Sequence, residues 1–277
     1  SDVRARMAAA GFPVSHDRAV ELLAALTLCP VTILCGGAFA PKGEVVRALG
    51  ESLGLGQRLL ALACVRRQEP MVDALLEDAS GLAPALIWME NCNAPERAPH
   101  AEALRLRINA LAPEHPARLV LTASDDGLCL PVELLDGAFL LRLEPESASS
   151  PWHEAPASFA PPEGAISMEA LRSVFRPCPE AVTEEAIARM ARLRQALGER
   201  GVLLSRRTLN AVWSLCAAIA PLLSERSPMR ALDIALARRA LPAVLAAAPM
   251  EALNALPEMV TDLEECQKLL QSPLPIF

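Results

Sequence analysis

Residues 31–55 read VTILCGGAFAPKGEVVRALGESLGL, and these residue types in this order have the shape of a phosphate-binding loop. An apolar, β-branched start (Val31–Cys35) enters Gly36 and Gly37, Lys42 follows, and Val45, Val46, Leu49 and Leu53 recur at helical spacing. In such a strand, glycine-rich turn and helix, converging backbone N–H groups at a helix N-terminus hold the anion. The working pattern is G-x-x-x-x-G-K-[ST], and here it reads Gly36-Gly-Ala-Phe-Ala-Pro41-Lys42-Gly43. Pro41 has no N–H, so one donor is missing beside the lysine. Gly43 has no hydroxyl, so the usual protein ligand to Mg²⁺ is gone. Lys42 and the helix dipole keep some attraction for an anion.

The elements that must position this loop follow from apolar runs and punctuation. Runs at Val31–Cys35, Leu59–Val65, Ala85–Met89, Leu119–Thr122 and Ala138–Leu143 read as buried strands of a parallel sheet. Helical stretches, among them 44–53 and 97–112, separate them, so residues 31–143 form an α/β core. Residues 1–30 are a lead and one helix, with Ser15 as its N-cap. Residues 144–166, rich in Pro, Ser, Ala and acids, read as a loop or linker. From 167 to 277 the chain reads as all helix. Thr183, Ser205 and Ser227-Pro228 are the start signals, and Gly201 and Pro221 are stops.

The chain has 277 residues, 52% of them hydrophobic, and only 3% aromatic with no Tyr, so Leu, Ala and Val must supply most of the core. A net charge of −7 gives no general footprint for nucleic acid; a local basic patch would have to come from Arg206-Arg207 or Arg238-Arg239. The eight cysteines form no C-x-x-C pair and the four His lie away from them, which is the usage of buried free thiols rather than of a zinc site. Cys92 and Cys129 fall near the loop without a His beside either in sequence, so a cysteine nucleophile is not expected. The Ala/Leu-rich stretch 231–248 is interrupted by Asp233, Arg238, Arg239 and Pro242, so no membrane association is expected. A cytoplasmic setting is the expectation. The chain starts at Ser rather than Met, as an excised piece or a tag remnant would.

Three further stretches carry a family resemblance. Ala85-Leu-Ile-Trp-Met-Glu90-Asn91-Cys-Asn93-Ala resembles the h-h-h-h-D-E-x-N-R-A stretch of AAA+ proteins of the McrB type. Residues 118–139, with Thr122-Ala-Ser124-Asp and then Leu130-Pro-Val-Glu-Leu-Leu-Asp136-Gly137-Ala-Phe, resemble the AAA+ pattern T-x-N-D-x…L-P-x-x-L-L-D-R-A-F. Leu204-Ser205-Arg206-Arg207-Thr208-Leu209 resembles the S-x-R-T-L segment of the helical lid. The chain is thereby identified as similar to a divergent AAA+ module of the McrB/MoxR-like group over about residues 15–265. The resemblance implies a three-layer αβα domain with a five-stranded parallel sheet, followed by an all-helical lid.

On that alignment the nucleotide pocket would be built from Gly36, Gly37, Lys42, Gly43, Glu90, Asn91, Ser124 and Arg207. Glu90 stands where the Mg²⁺-linked Asp belongs and Asn91 where the catalytic Glu belongs; an amide cannot act as a general base. Ser124 replaces the sensor Asn, Gly137 replaces an Arg often used as an intersubunit finger, and Arg207 is the sensor-like residue of the lid. An arginine finger is worth about 10³–10⁵ in rate, and a general base about 10²–10⁴. The set argues against hydrolysis and for a catalytically inactive module. Its implied partner is an AAA+ ATPase or another copy of itself; no cofactor is expected, with residual binding of ATP or GTP with Mg²⁺ left open. The alternative is an ATP- or GTP-dependent enzyme of McrB-like type, completed by a partner in DNA restriction or phage defence.

Overall fold

The computed structural model describes residues 2–63, 65–78, 83–125, 129–135, 137–144 and 165–271. Five strands, β1 (Val31–Gly36), β2 (Leu59–Ala61), β3 (Ala85–Met89), β4 (Ala117–Ser124) and β5 (Phe139–Arg142), form one parallel sheet in the order β2-β3-β4-β1-β5. Every residue of β1 and β3 is buried, as is all of β4 except its last residue, so both sheet faces are covered. That is why these strands read as continuous apolar runs rather than alternating ones. The three-layer α/β domain with a five-stranded parallel sheet and a helical region behind it is therefore the architecture observed.

Among the described residues of this half, the helices are α1 (Asp2–Ala9), α2 (His16–Leu28), α3 (Lys42–Ser52), α4 (Val65–Glu77), α5 (Ala98–Asn109) and α6 (Val132–Leu135). Ser15 caps α2 as expected, its hydroxyl accepting from the Arg18 amide at 3.2 Å. The segment before it is more ordered than a lead: α1 packs on α3, and Arg6 reaches the Ser52 carbonyl at 3.3 Å. The apolar run 59–65 was expected to be a single strand, yet β2 ends at Ala61 and Val65 already opens α4. As an edge strand β2 pairs with β3 alone, and Gln68 of α4 takes the Ala61 carbonyl at 2.8 Å, which turns the chain away from the sheet.

Parallel pairing brings strand ends into line. Gly36 lies beside Ser124 and Met89 beside Leu121, so the C-terminal ends of β1, β3 and β4 make one row. In open α/β sheets this edge is where ligands bind.

Of the expected linker at 144–166, residues 145–164 lie outside the described residues. Beyond it come α7 (Met168–Val174), α8 (Glu184–Gly198), α9 (Arg206–Ile219), α10 (Pro228–Arg239), α11 (Leu241–Ala247), α12 (Met250–Met259) and α13 (Glu264–Gln271). Thr183, Ser205 and Ser227 each accept a backbone N–H three residues on, at 3.4, 3.0 and 3.2 Å. These are N-caps of the usual kind. Gly201, at φ +77°, turns the chain after α8 in a conformation that favours glycine.

The helical region is joined to the core by a buried ionic knot. Arg238 of α10 donates to Glu21 of α2 at 2.8 Å and to Glu265 of α13. The Asp233 carboxylate accepts from the amides of Glu265 and Cys266 at 2.8 and 2.9 Å, capping α13. Arg238, expected as half of a surface basic pair, is thus an interior residue with a side chain 4% exposed.

Candidate functional site

The loop after β1 is closed by its own atoms. Pro41, at φ −78° and ψ 51°, forms an inverse γ-turn in which the Lys42 amide donates to the Ala40 carbonyl at 2.7 Å. The Ala40 amide donates to the Gly37 carbonyl at 3.0 Å. The Lys42 side chain then folds back, Nζ donating to the carbonyls of Gly36 at 2.9 Å and Gly37 at 2.6 Å. The residue is buried. The Gly36 carbonyl also accepts from the Asp125 amide at 3.2 Å. In a phosphate-binding loop the amides and the lysine would face an anion. Here two of the loop amides and the ammonium are engaged with loop carbonyls.

Gly36 must be glycine for reasons of space. A Cβ there would stand 2.4 Å from the Leu143 carbonyl oxygen and 2.7 Å from the Ala40 Cβ, because the exit of β5 runs hard against the loop. Gly43 faces a different crowd. A Cβ there would lie 3.2 Å from both Glu90 Oε1 and Trp88 Cζ2. Trp88, the penultimate residue of β3, is buried, its Nε1 has no hydrogen-bond partner among the described residues, and Arg47 of α3 stacks over its ring at 5.4 Å. The indole and the Glu90 carboxylate thus crowd any side chain at position 43, which enters only if they give by a few tenths of an ångström.

Asn91 is turned toward β4. It adopts φ 49°, tolerable for Asn, its amide donates to Thr122 Oγ1 at 3.3 Å, and its Oδ1 accepts from Ser124 Oγ at 3.4 Å. Asn93, buried, pairs with the Ser124 backbone in both directions, at 2.9 and 3.3 Å. Beside them Arg142 and Asp125 pair at 2.6 Å with side chains 12% and 7% exposed, and Arg142 also reaches Glu144 at 3.0 Å. The thiols of Cys35 and Cys92 are pushed up to about 12 by burial, so neither is a nucleophile at neutral pH.

Gly36, Gly37, Lys42, Gly43 and Glu90 are therefore gathered at the C-terminal edge of the sheet, with Asn91 and Ser124 adjoining them. Arg207 is not. Its Nη2 would be 3.0 Å from a Cβ on Gly137, and it lines a cavity with Pro30 and Ala117, at the N-terminal ends of β1 and β4. The length of β1, about 16 Å, separates it from the loop. The sensor-like role expected for Arg207 has no geometric basis in this arrangement, because α9 begins at the wrong end of the sheet. Gly137, where a finger arginine was expected, has φ +75° and carries two arginines of the helical region against it: Arg207, and Arg239, which donates to its carbonyl at 2.5 Å.

Trp88, Asn93 and the Asp125–Arg142 pair were missed by sequence reasoning. Trp88 read only as one more apolar strand residue. Its bulk three residues before Asn91, opposite a glycine in the helix start, was the available signal.

Fold and site together define a three-layer α/β domain whose β1–α3 loop is closed on itself, with a helical region tied to it. No protein-family model matches the chain, and no curated protein matches it. Among solved structures it is similar to PCH-2 of C. elegans, at 14% identity over 92% of this chain and 65% of that one, with a TM-score of 0.36. It is also similar to a DNA polymerase III gamma subunit-related protein of Thermotoga maritima, at 11% identity over 93% of this chain and 94% of that one, with a TM-score of 0.35. The chain spans a little under two thirds of the length of PCH-2. Among the described residues, no helix is long and apolar enough to cross a membrane.

Proposed function

We propose that this chain is a nucleotide-independent AAA+-type module that acts by binding or assembling with another protein. The observation that carries this reading is Lys42, whose ammonium is hydrogen-bonded to the carbonyls of Gly36 and Gly37. Opening the loop for a phosphate would break both bonds and the γ-turn at Pro41, and Gly43 would still offer Mg²⁺ no hydroxyl. The substitutions at Asn91, Ser124 and Gly137 point the same way. What the closed loop does present is Phe39, 91% exposed at its tip. An aromatic side chain held out by a braced loop is a suitable anchor for a protein partner, since little freedom is lost on contact. The partner class is an active AAA+ ATPase or a second copy of the chain, in keeping with the McrB/MoxR-like resemblance.

Fluorescent ATP and GTP analogues, titrated with and without Mg²⁺ and followed by thermal unfolding, test this. A ligand at 100 times its Kd adds about 2.7 kcal/mol of stability, a readily measured shift. The expected outcome is no shift at millimolar nucleotide. Mg²⁺-dependent binding that Lys42→Met abolishes would overturn the proposal. That result would favour the second reading, an ATPase or GTPase completed by its partner, for which Glu90 beside Gly43 is the supporting geometry.

A further inference from the structure

The loop tip and the helical region each expose an apolar feature that the chain does not cover itself. Phe39 is held out by the closed turn between Gly37 and Lys42 and is 91% exposed, so it fills no pocket of its own chain. With six Phe, three Trp and no Tyr in the whole sequence, an aromatic ring left in water is scarce core material set aside. At the other end of the sheet, a groove of about 310 Å³ lies between the turn after α8, the first turn of α9 and α11. Val202, Leu203, Leu204, Ala243, Val244 and Ala247 line it, and among the described residues no charged side chain does. Leu203 stands 87% exposed at the groove, and Met250, one residue past the lining Pro249, is exposed as well. Two large apolar side chains in water beside an uncharged groove make a contact surface rather than a solvated face.

Position and charge decide what covers it. The groove includes Ala240, whose neighbour Arg239 donates to the Gly137 carbonyl, and Ser205 and Thr208, which flank Arg207 against the same glycine. It therefore sits toward the N-terminal end of the sheet, whereas Phe39 projects from the C-terminal end. The length of β1, about 16 Å, lies between them, so a chain does not fill its own groove. Charge is divided unevenly between the two regions. Residues 1–166 hold 21 of the 33 acidic residues and 13 of the 26 basic ones, while 167–277 are nearly balanced, with 12 and 13. Two α/β cores repel each other, and a core meets the helical region of another copy without that penalty.

We propose that Phe39 of one copy inserts into this groove on a second copy, joining copies head to tail. The proposal rests on the reading of Phe39 as an anchor and narrows the partner to the chain itself. A buried aromatic side chain removes about 150–250 Å² from water, against about 800 Å² per partner in a stable interface. The contact is therefore weak and concentration-dependent, with a Kd of about 100 µM. Because ring and groove are different surfaces, the contact does not close on itself at two copies and adds further ones.

Sedimentation equilibrium of the full chain, of Phe39→Ser and of Leu203→Asp, from about 10 to 300 µM, tests it. Both substitutions fall at exposed positions and leave the fold intact. The mass of the parent should rise with concentration past that of two copies, while each variant stays at the 29.6 kDa of one chain. An equimolar mixture of the two variants should form dimers and nothing larger. In that mixture the intact Phe39 of the Leu203→Asp chain meets the intact groove of the Phe39→Ser chain, and no second contact can follow. The assignment is overturned by a parent that keeps the mass of one chain throughout, or by association that survives Phe39→Ser. A mixture that stays monomeric overturns it too, since that would make the contact like-with-like. Runs with ATP and Mg²⁺ separate this proposal from the reading on which it rests. A mass that shifts with nucleotide and still needs Phe39 sinks nucleotide independence and upholds the contact. A parent that is monomeric with and without nucleotide sinks the contact and leaves a different protein as the partner.

Discussion

Lys42 shows how one residue type can serve two opposed purposes. In a working phosphate loop its ammonium is kept available for an anion; here it braces the loop by holding the Gly36 and Gly37 carbonyls. The two roles predict different consequences for Lys42→Met. If the lysine is a brace, the variant loses stability, by about 1–3 kcal/mol for two carbonyls left with poorer partners, and loses no ligand. Chemical denaturation of the variant checks this; an unchanged midpoint would argue that the brace carries nothing. Phe39→Ser, at the exposed tip of the same loop, should stay within about 0.5 kcal/mol of the parent. Gly43→Ser, which restores the missing hydroxyl on paper, should not restore Mg²⁺ binding. The new side chain would meet Trp88 and Glu90 at about 3.2 Å, so a loss of roughly 1–3 kcal/mol and altered Trp fluorescence are expected instead. The loop residues could be found in sequence because a glycine-rich strand–loop–helix is a local pattern, and Glu90, Asn91 and Ser124 because the first two follow the end of β3 and the third ends β4. Trp88 could not, since its effect on Gly43 exists only once β3 and α3 are packed together.

At the level of elements, local signals were read well and non-local ones poorly. The starts of α2, α8, α9 and α10 were legible because a hydroxyl N-cap acts within one turn, and the three caps of the helical region are made as expected. Ser205→Ala should cost about 1 kcal/mol, as other N-cap truncations do, and thermal unfolding can measure it. β1, β3 and β4 were legible because a strand buried on both faces must be a continuous apolar run. β2 and α4 were not, because an apolar run of that length does not say where pairing stops. Arg207 is the instructive miss. Its motif context was read correctly as a helix start, with Ser205 as the cap, but a cap fixes where a helix begins and not which end of the sheet it begins at. The direction of α9 is set by its packing along α2, where the Ser224 amide and hydroxyl, past the far end of α9, both donate to Asp17 at 2.8 Å. Those contacts span more than 200 positions of sequence and leave no periodicity to read.

Taken as one molecule, the chain depends on how firmly its helical region is joined to its α/β core, and the Arg238 knot is where that can be tested. Arg238, Glu21 and Glu265 have side chains 4%, 6% and 9% exposed, so the knot is nearly dry. Removing the cation alone, as in Arg238→Met, would leave Glu21 with Arg18 at 3.4 Å and Glu265 with Arg230 and Lys268 at 3.1 Å, and should cost about 3 kcal/mol, the low end for a broken buried pair. The pH dependence gives a sharper test. Burial alone would raise the Glu265 carboxyl, but the guanidinium of Arg238 and the ammonium of Lys268 outweigh it and bring it from 4.5 down to about 2. A carboxyl depressed in the folded state contributes stability that is fully present above its unfolded value, near 4.5, and is lost as pH falls toward 2. The shift corresponds to about 3 kcal/mol. Comparing the parent with Glu265→Gln by denaturant titration across this range should therefore give a gap of about 3 kcal/mol at pH 7 that closes as pH approaches 2. A gap of constant size would mean that Glu265 contributes packing rather than charge, leaving Glu21 as the acid through which Arg238 joins the two halves.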